Sequence, residues 1–333
     1  MDALVEGLRA MMQLLTIDDE VWHKLGALSA LGERAAAAPL SDAIDPVNLH
    51  ISLNALNRAR LQPSTPTPDW ERQQRLAHAA ELIEGRFLEE ERRGVQHYVE
   101  AAPRSVPEFV RWFESLGEVG PGRLDPLFDF LATRATREQM TWFIEQEFNG
   151  EVGFEDLIAL TQIRLPAAAK LDLARNFWDE MGNGQAGSMH GPMYVAMVRE
   201  LGVGNTPDSE FVWETLALAN LLTGLAVNRR YAWHSLGALT VTELTSPLRA
   251  TRMVSGLCRL GLSELGASYF RLHSTADVAH WNSWRDDALI PLLTEYPELM
   301  QPLAEGALMR LCASARVLER YRTELGIKEM VAC

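Results

Sequence analysis

The chain has 333 residues, 47% of them hydrophobic and 23% charged, which is a globular composition with ample material for a core. A net charge of −14 with no basic tract makes nucleic acid and anionic membrane poor partners. Three widely spaced cysteines, Cys258, Cys312 and Cys333, argue against a disulfide framework or a zinc knuckle and fit a reducing cytoplasm.

Nearly every segment repeats its apolar residues with a helical period, and no strand hairpin stands out. The opening MDALVEGLRAMMQLL reads as an amphipathic helix rather than a signal peptide, and no apolar run is long enough to span a bilayer. Helices are expected over 1–16, 18–38 and 45–60. Three prolines within 61–68 forbid helix there and make a linker or surface loop. A long charged helix follows to about residue 102, with the run Glu89–Arg93 on a solvated face. After a break at Pro103–Pro107, helices are expected over 108–116 and 126–132. Thr136 and Gln139 form a capping box for a long helix to about residue 164, and Gly150 and Gly153 predict a kink in it. Pro166 closes that helix. Residues 167–181, 189–201, 209–226 and 229–245 are helical, with a glycine-rich reversal at Gly182–Gly187. Pro247 is expected to open the next helix at its first position, and 265–288 and 289–325 complete the chain.

Chemistry gathers in the late stretch Arg271–His280. His273, Asp277 and His280 stand at i, i+4 and i+7, which puts two imidazoles and a carboxylate within roughly 60° of arc on a helix. That triplet suits iron, manganese or zinc. Upstream, a hairpin centred near residue 165 sets Glu180 opposite Glu151, with Glu147 and Glu155 one turn to either side. His190 follows Glu180 across the glycine-rich reversal. Glu243 interrupts an apolar helix, where an unpaired charge is expensive, so it reaches solvent or a cation. The set Glu151 (or Glu147), Glu180, His190, Glu243, His273, Asp277 and His280 is too large for one ion and suits two bridged ions. Its oxygen and nitrogen donors, without thiolate, favour non-haem iron or manganese. Met181, Met189, Met193 and Met197, with Trp142, Phe148, Trp178 and Tyr194, are candidate pocket walls, core filling being the alternative. Arg252 and Arg271 are candidates for a substrate carboxylate, with surface salt bridges as the alternative.

These residues resemble a known family, the haem-oxygenase-like diiron oxidases, also called iron-containing redox enzymes. The resemblance is carried by NFWDEMGNG ahead of Glu180 and His190, by Glu243 in GALTVTEL, and by His273, Asp277 and His280 in the pattern H-x3-D-x2-H. DPLFDFLATRATREQMTWFIEQEF resembles the family's opening helices, so the likeness spans roughly residues 105–322. It implies an all-α, haem-oxygenase-like seven-helix bundle over 105–333. The likeness does not reach 1–104, read as a helical extension for which a dimerisation arm and a lid are the two expectations. It also implies a buried centre of two irons per chain, cycling between Fe(II) and Fe(III), with O2 as co-substrate. Glu180, His190, Glu243, His273, Asp277 and His280 match its ligands, Glu180 and Glu243 being the carboxylates expected to take part in catalysis. Among Glu145, Glu147, Glu151 and Glu155, the first-helix ligand stays open. Substrates are expected to be small, amino-acid-derived or amine-bearing molecules of specialised metabolism, undergoing N-oxygenation or oxidative C–C or C–H cleavage. An external electron donor and a homodimer are further expectations. A non-catalytic helical scaffold, and a mononuclear-iron or cofactorless enzyme of the same fold, are the alternatives. His23 and His50 could serve a haem, but a carboxylate-lined centre does not suit a porphyrin.

Overall fold

The computed structural model describes residues 45–327 apart from 64, 67, 69, 152 and 205. The helices expected over 1–16 and 18–38, His23 and Cys333 lie outside those residues. Every regular element among the described residues is helical, so the fold is all-α. Internal contacts define one compact unit that ends at Phe87 and another that runs from Leu88. The expected division between 104 and 105 lies inside the second unit.

The first unit holds α1 (Pro46–Leu61) and most of α2 (Trp70–Gly94). Asp45 caps α1 by accepting from Asn48 N at 3.1 Å, and Pro46 opens its first turn. Leu49, Leu53 and Leu56 supply its buried stripe, and His50 packs edge-on against Phe87 at 4.9 Å. Helix α2 ends at Gly94, and a separate turn, Gln96–Val99, replaces the last part of the helix expected to reach 102.

The second unit contains α3 (Val106–Val119), α4 (Pro126–Thr133), α5 (Arg137–Glu151), α6 (Phe154–Thr161), α7 (Ala167–Glu180) and α8 (His190–Leu201). It continues with α9 (Trp213–Val227), α10 (Ala232–Arg259), α11 (Ser268–Ser283), a π-helical turn Trp284–Leu289, α12 (Ile290–Glu295) and α13 (Met300–Glu324). The expected capping box starts α5: Gln139 N donates to Thr136 Oγ1 at 3.3 Å and Thr136 N to Gln139 Oε1 at 3.0 Å. The expected kink is a full break, because Gly153 adopts φ 89 and so leaves the right-handed region. Helix α9 is apolar on all sides and its Leu216, Leu221 and Leu225 are fully enclosed, as a central helix requires.

Helix α10 departs from expectation. It runs 28 residues, about 42 Å, straight through Pro247, instead of stopping for the proline to open a new helix. Pro247 cannot donate to the carbonyl of Glu243, four residues back. The surrounding turns are held by other means: Thr242 Oγ1 donates to Ala238 O at 2.9 Å and Thr245 Oγ1 to Val241 O at 2.8 Å. Arg123 Nη1 donates to the carbonyl of Thr245 at 3.2 Å. Helix α10 packs on α11, α13 and α4 and is the wall on which the functional residues are mounted.

Where α10 crosses α13, the enclosed Glu305 gathers donors. His234 Nε2 lies 2.8 Å from Oε2, while Gln96 Nε2 and Gln301 Nε2 each donate to Oε1 at 3.0 Å. Burial pushes the Glu305 pKa up, but the hydrogen bonds from His234, Gln301 and Gln96 outweigh it and pull it down to about 2. A folded-state pKa below the ordinary 4.5 contributes stability that is complete above that value and is lost as pH falls toward 2. Glu305→Gln is therefore expected to remove up to about 3 kcal/mol at pH 7 and much less at pH 2, read from urea melts at the two pH values. Equal losses at both would refute the assignment.

Candidate metal centre

Two groups of ligating side chains form in the second unit. Glu180, His190 and His273 bring one oxygen or nitrogen each within 4.8 Å of one another, and so do Glu243, Asp277 and His280. All six are residues singled out from the sequence.

The chain builds the first group with a tight reversal. Helix α7 ends at Glu180, and Gly182, Asn183 and Gly184 all take left-handed φ values of 61, 53 and 83 before α8 begins at His190. A Cβ at Gly182 would lie 2.5 Å from the Ser188 carbonyl carbon, so only glycine lets the loop fold back so closely. The result sets His190 Nδ1 2.7 Å from Glu180 Oε2. Yet that nitrogen makes no hydrogen bond, so the two atoms face a common point without being aligned on each other. His273 Nε2 is likewise buried and without a hydrogen-bond partner, while its Nδ1 is tied to Asp277 Oδ1 at 2.9 Å. Buried orphaned imidazole nitrogens beside a carboxylate are what a site for a cation presents, since polar groups are otherwise satisfied inside proteins. The donor set, histidine nitrogen and carboxylate oxygen without sulfur, fits iron.

The second group spans α10 and α11. His280 Nδ1 lies 3.1 Å from Glu243 Oε2, and Asn176 Nδ2 donates to Glu243 Oε1 at 3.1 Å. His280 Nε2 lies 3.1 Å from Asp179 Oδ2, which leaves a carboxylate on each side of the ring. Ser246 donates to Asp277 Oδ2. A carboxylate behind a ligating imidazole fixes its tautomer and orientation, the role that Asp277 can play for His273 and Asp179 for His280.

The electrostatics are those of crowded charge. Burial pulls His273 down, but its hydrogen bond to Asp277 and the charges of Asp277, Glu180 and Glu243 raise it to about 9. Burial likewise opposes, and Glu243, Asp277 and Asp179 together override it, for His280, also raised to about 9. Burial raises Glu243, with the neighbouring Asp277 and Glu180 charges adding to it and His280 working against them.

Of the first-helix glutamates whose side chains are described, Glu155 is the one that comes close. It stands in the first turn of α6, its Oε1 is 3.6 Å from where a Cβ of Gly191 would be, and its pKa is raised by burial, with the charges of Asp156 and Glu180 adding to it. Glu147 instead pairs with Arg249, and Glu145 accepts from Thr206. The side chain of Glu151 lies outside the described residues. The break at Gly153 accounts for the difference. A continuous helix would carry one face from Glu147 through Glu151 to Glu155, and the left-handed residue re-aims the chain after it.

Other candidates go to structure. Arg252 Nε pairs with Asp129 at 3.0 Å and Arg271 Nη2 with Glu264 at 3.2 Å, both near the surface. Tyr194 and Met197 are fully enclosed in the core, and Trp142, Phe148 and Met193 pack against it. Trp178 is half exposed, with its ring over Gly184. Asn176, Asp179, Ser246 and Tyr269, whose ring lies 4.4 Å from that of His273, are site residues that sequence reasoning passed over. Asn176 is one turn before Glu180 and Ser246 nearly one turn after Glu243, so a search along the same helical faces would have reached both.

No curated protein matches the chain. Solved structures do. A domain of unknown function with a heme oxygenase-like fold from Shewanella denitrificans is 15% identical, covering 68% of this chain and 93% of its own, with a TM-score of 0.46. A CADD-like protein of unknown function from Nostoc punctiforme is 18% identical, covering 76% of this chain and all of its own, with a TM-score of 0.47. Among the described residues, no helix is long and apolar enough to cross a membrane. The family model described as iron-containing redox enzyme matches residues 141–315, more than half of the 333 residues and the whole stretch from Glu155 to His280. The chain thus belongs to the iron-containing redox enzyme family.

Proposed function

We propose that the protein is an O2-dependent non-haem diiron oxidase or oxygenase. Glu180, His190 and His273 would hold one iron, and Glu243, Asp277 and His280 the other. Glu155, beside Glu180 and His190, would be the carboxylate contributed from this part of the chain. Iron so held would supply the redox chemistry with O2. The chain supplies the rest: paired carboxylates, oriented imidazoles, and walls that keep bulk water away. Asp277 and Asp179 hold the two late imidazoles in position, and Asn176 holds Glu243. The substrate is a small amino-acid-derived or amine-bearing molecule, oxidised at nitrogen or at a C–C or C–H bond. The observation that carries this reading is the pair of buried triads in one helical unit, linked through the Asp277 to His273 contact. It also disfavours a scaffold, which has no use for six converging ligand atoms.

Anaerobic addition of Fe(II), followed by iron quantitation, is expected to give two ions per chain. One or none would overturn the diiron assignment. In the same assay Glu155→Ala should weaken iron binding by about 10- to 100-fold, a range typical of groups that support a metal site. Glu147→Ala should leave binding unchanged. The reverse order would return Glu147 to the ligand set.

A further inference from the structure

An open cleft is lined by Ser246, whose hydroxyl donates to Asp277. Its polar lining is Arg123, Glu147, Thr245, Ser246, Arg249, Arg310 and Ser314, with three guanidiniums and one carboxylate among them. Phe128, Leu218 and Leu318 form an apolar wall. Glu147 is taken by Arg249.

Arg123 is the unusual member. It is half-buried, and its Nε donates to Gly117 O at 2.8 Å and its Nη1 to Thr245 O at 3.2 Å. Both acceptors are neutral, and among the described residues no carboxylate forms an ion pair with it; Glu147, in the same lining, is paired with Arg249. Burial pushes its pKa down, the direction of a cation without a counter-charge. Such a group is costly to enclose. The loop that carries it is pinned on both sides. At Gly122, φ is 73 and a Cβ would lie 3.1 Å from Ala315 Cα. Leu124 is held at φ 59 although it is 77% exposed, an unfavourable backbone for leucine. Asp125 then caps α4 through Leu127 N at 2.9 Å and pairs with Arg322. The chain accepts a strained residue and an unbalanced cation in order to turn one guanidinium inward. With two of its five N–H groups committed to carbonyls, that guanidinium keeps donors for an anion.

We propose that this cavity is a binding site for a small amphiphilic organic anion, its charged head on Arg123 and its apolar body along Phe128, Leu218 and Leu318. Its wall at Ser246 abuts the candidate metal group through Asp277. As the substrate site it rests on the diiron reading. As an anion site it does not.

The test uses the full-length protein, titrated calorimetrically with octanoate, octyl phosphate and octanamide, with iron content measured on the same samples. At least one of the two anions is expected to bind about tenfold or more tightly than octanamide, a preference that Arg123→Lys keeps and Arg123→Gln abolishes. Which anion prevails separates a carboxylate head from a phosphate head. Because Arg123 also ties down two carbonyls, Leu318→Trp provides an independent check: it fills the cavity with Arg123 intact and should block all three ligands. Octanamide binding as tightly as both anions, an unchanged preference in Arg123→Gln, or unchanged binding in Leu318→Trp would each overturn the proposal. Any of these with two irons still bound would leave the diiron reading standing, whereas anion binding without iron uptake would remove only the substrate role.

Discussion

Asp277→Ala is expected to deplete iron from both groups rather than from one. Its carboxylate is the shared support of the centre: Oδ1 lies 2.9 Å from His273 Nδ1 and 3.8 Å from His280 Nδ1, and Oδ2 accepts from Ser246. In the second group Asp277 is itself a candidate ligand, and its loss removes a donor outright. In the first group it stands behind His273, and losing such a support typically weakens a metal site by about 10- to 100-fold. The enclosed imidazole would also be left with neither nitrogen satisfied, a further reason for the ring to turn away. Asp179→Asn makes the contrast, because Asp179 reaches the centre only through His280 Nε2, at 3.1 Å, its other oxygen accepting from Asn183 Nδ2 at 2.8 Å, and it stays partly exposed. It should lower the second iron modestly and leave the first alone. Equilibrium dialysis against anaerobic Fe(II) separates the patterns. An Asp277→Ala protein that still took up two irons at wild-type affinity would show that the groups are not coupled through this residue.

How far the sequence led is best judged at particular residues. His273, Asp277 and His280 were legible because the helical period alone puts them on one face, and α11 keeps that period throughout. Glu180 and His190 were legible because GNGQAG announces a reversal, and a reversal brings its flanks together. The first-helix glutamate was not. Choosing among Glu147, Glu151 and Glu155 depends on whether the chain stays helical through Gly153, a single backbone angle that residue spacing does not report. Pro247 misled for a related reason. A proline's local preference is to start or stop a helix, but α10 lies against α11, α13 and α4, and that packing outweighs one lost backbone hydrogen bond. Arg123 was invisible in sequence because its distinction is a missing partner, and only assembled surroundings reveal an absence. The two arginines that drew attention instead, Arg252 and Arg271, each have an acid beside them.

Gly306→Ala is expected to destabilise the second unit by about 3–5 kcal/mol, at the upper end for a single added methyl. A Cβ at Gly306 would stand 1.9 Å from His234 O, and one at Gly237 would stand 2.1 Å from Leu303 O. Both obstructions are backbone, so no rotamer change relieves them, and α10 and α13 would have to move apart bodily. Gly94→Ala is the control: it too is a helical glycine, but nothing lies within 4 Å of the added carbon, and alanine's better helix propensity should make it neutral or slightly stabilising. Urea melts followed by circular dichroism compare the two. The consequence for function follows from the geometry of α10. Glu243 stands six residues beyond Gly237 on the same helix, and its contacts with Asn176 and His280, both at 3.1 Å, tolerate little displacement. A Gly306→Ala protein that folds at all should therefore bind its second iron poorly even below its melting point. Wild-type stability in that variant would mean that the two helices do not meet backbone to backbone, and that Glu243 is carried by a looser support than the two candidate metal groups require.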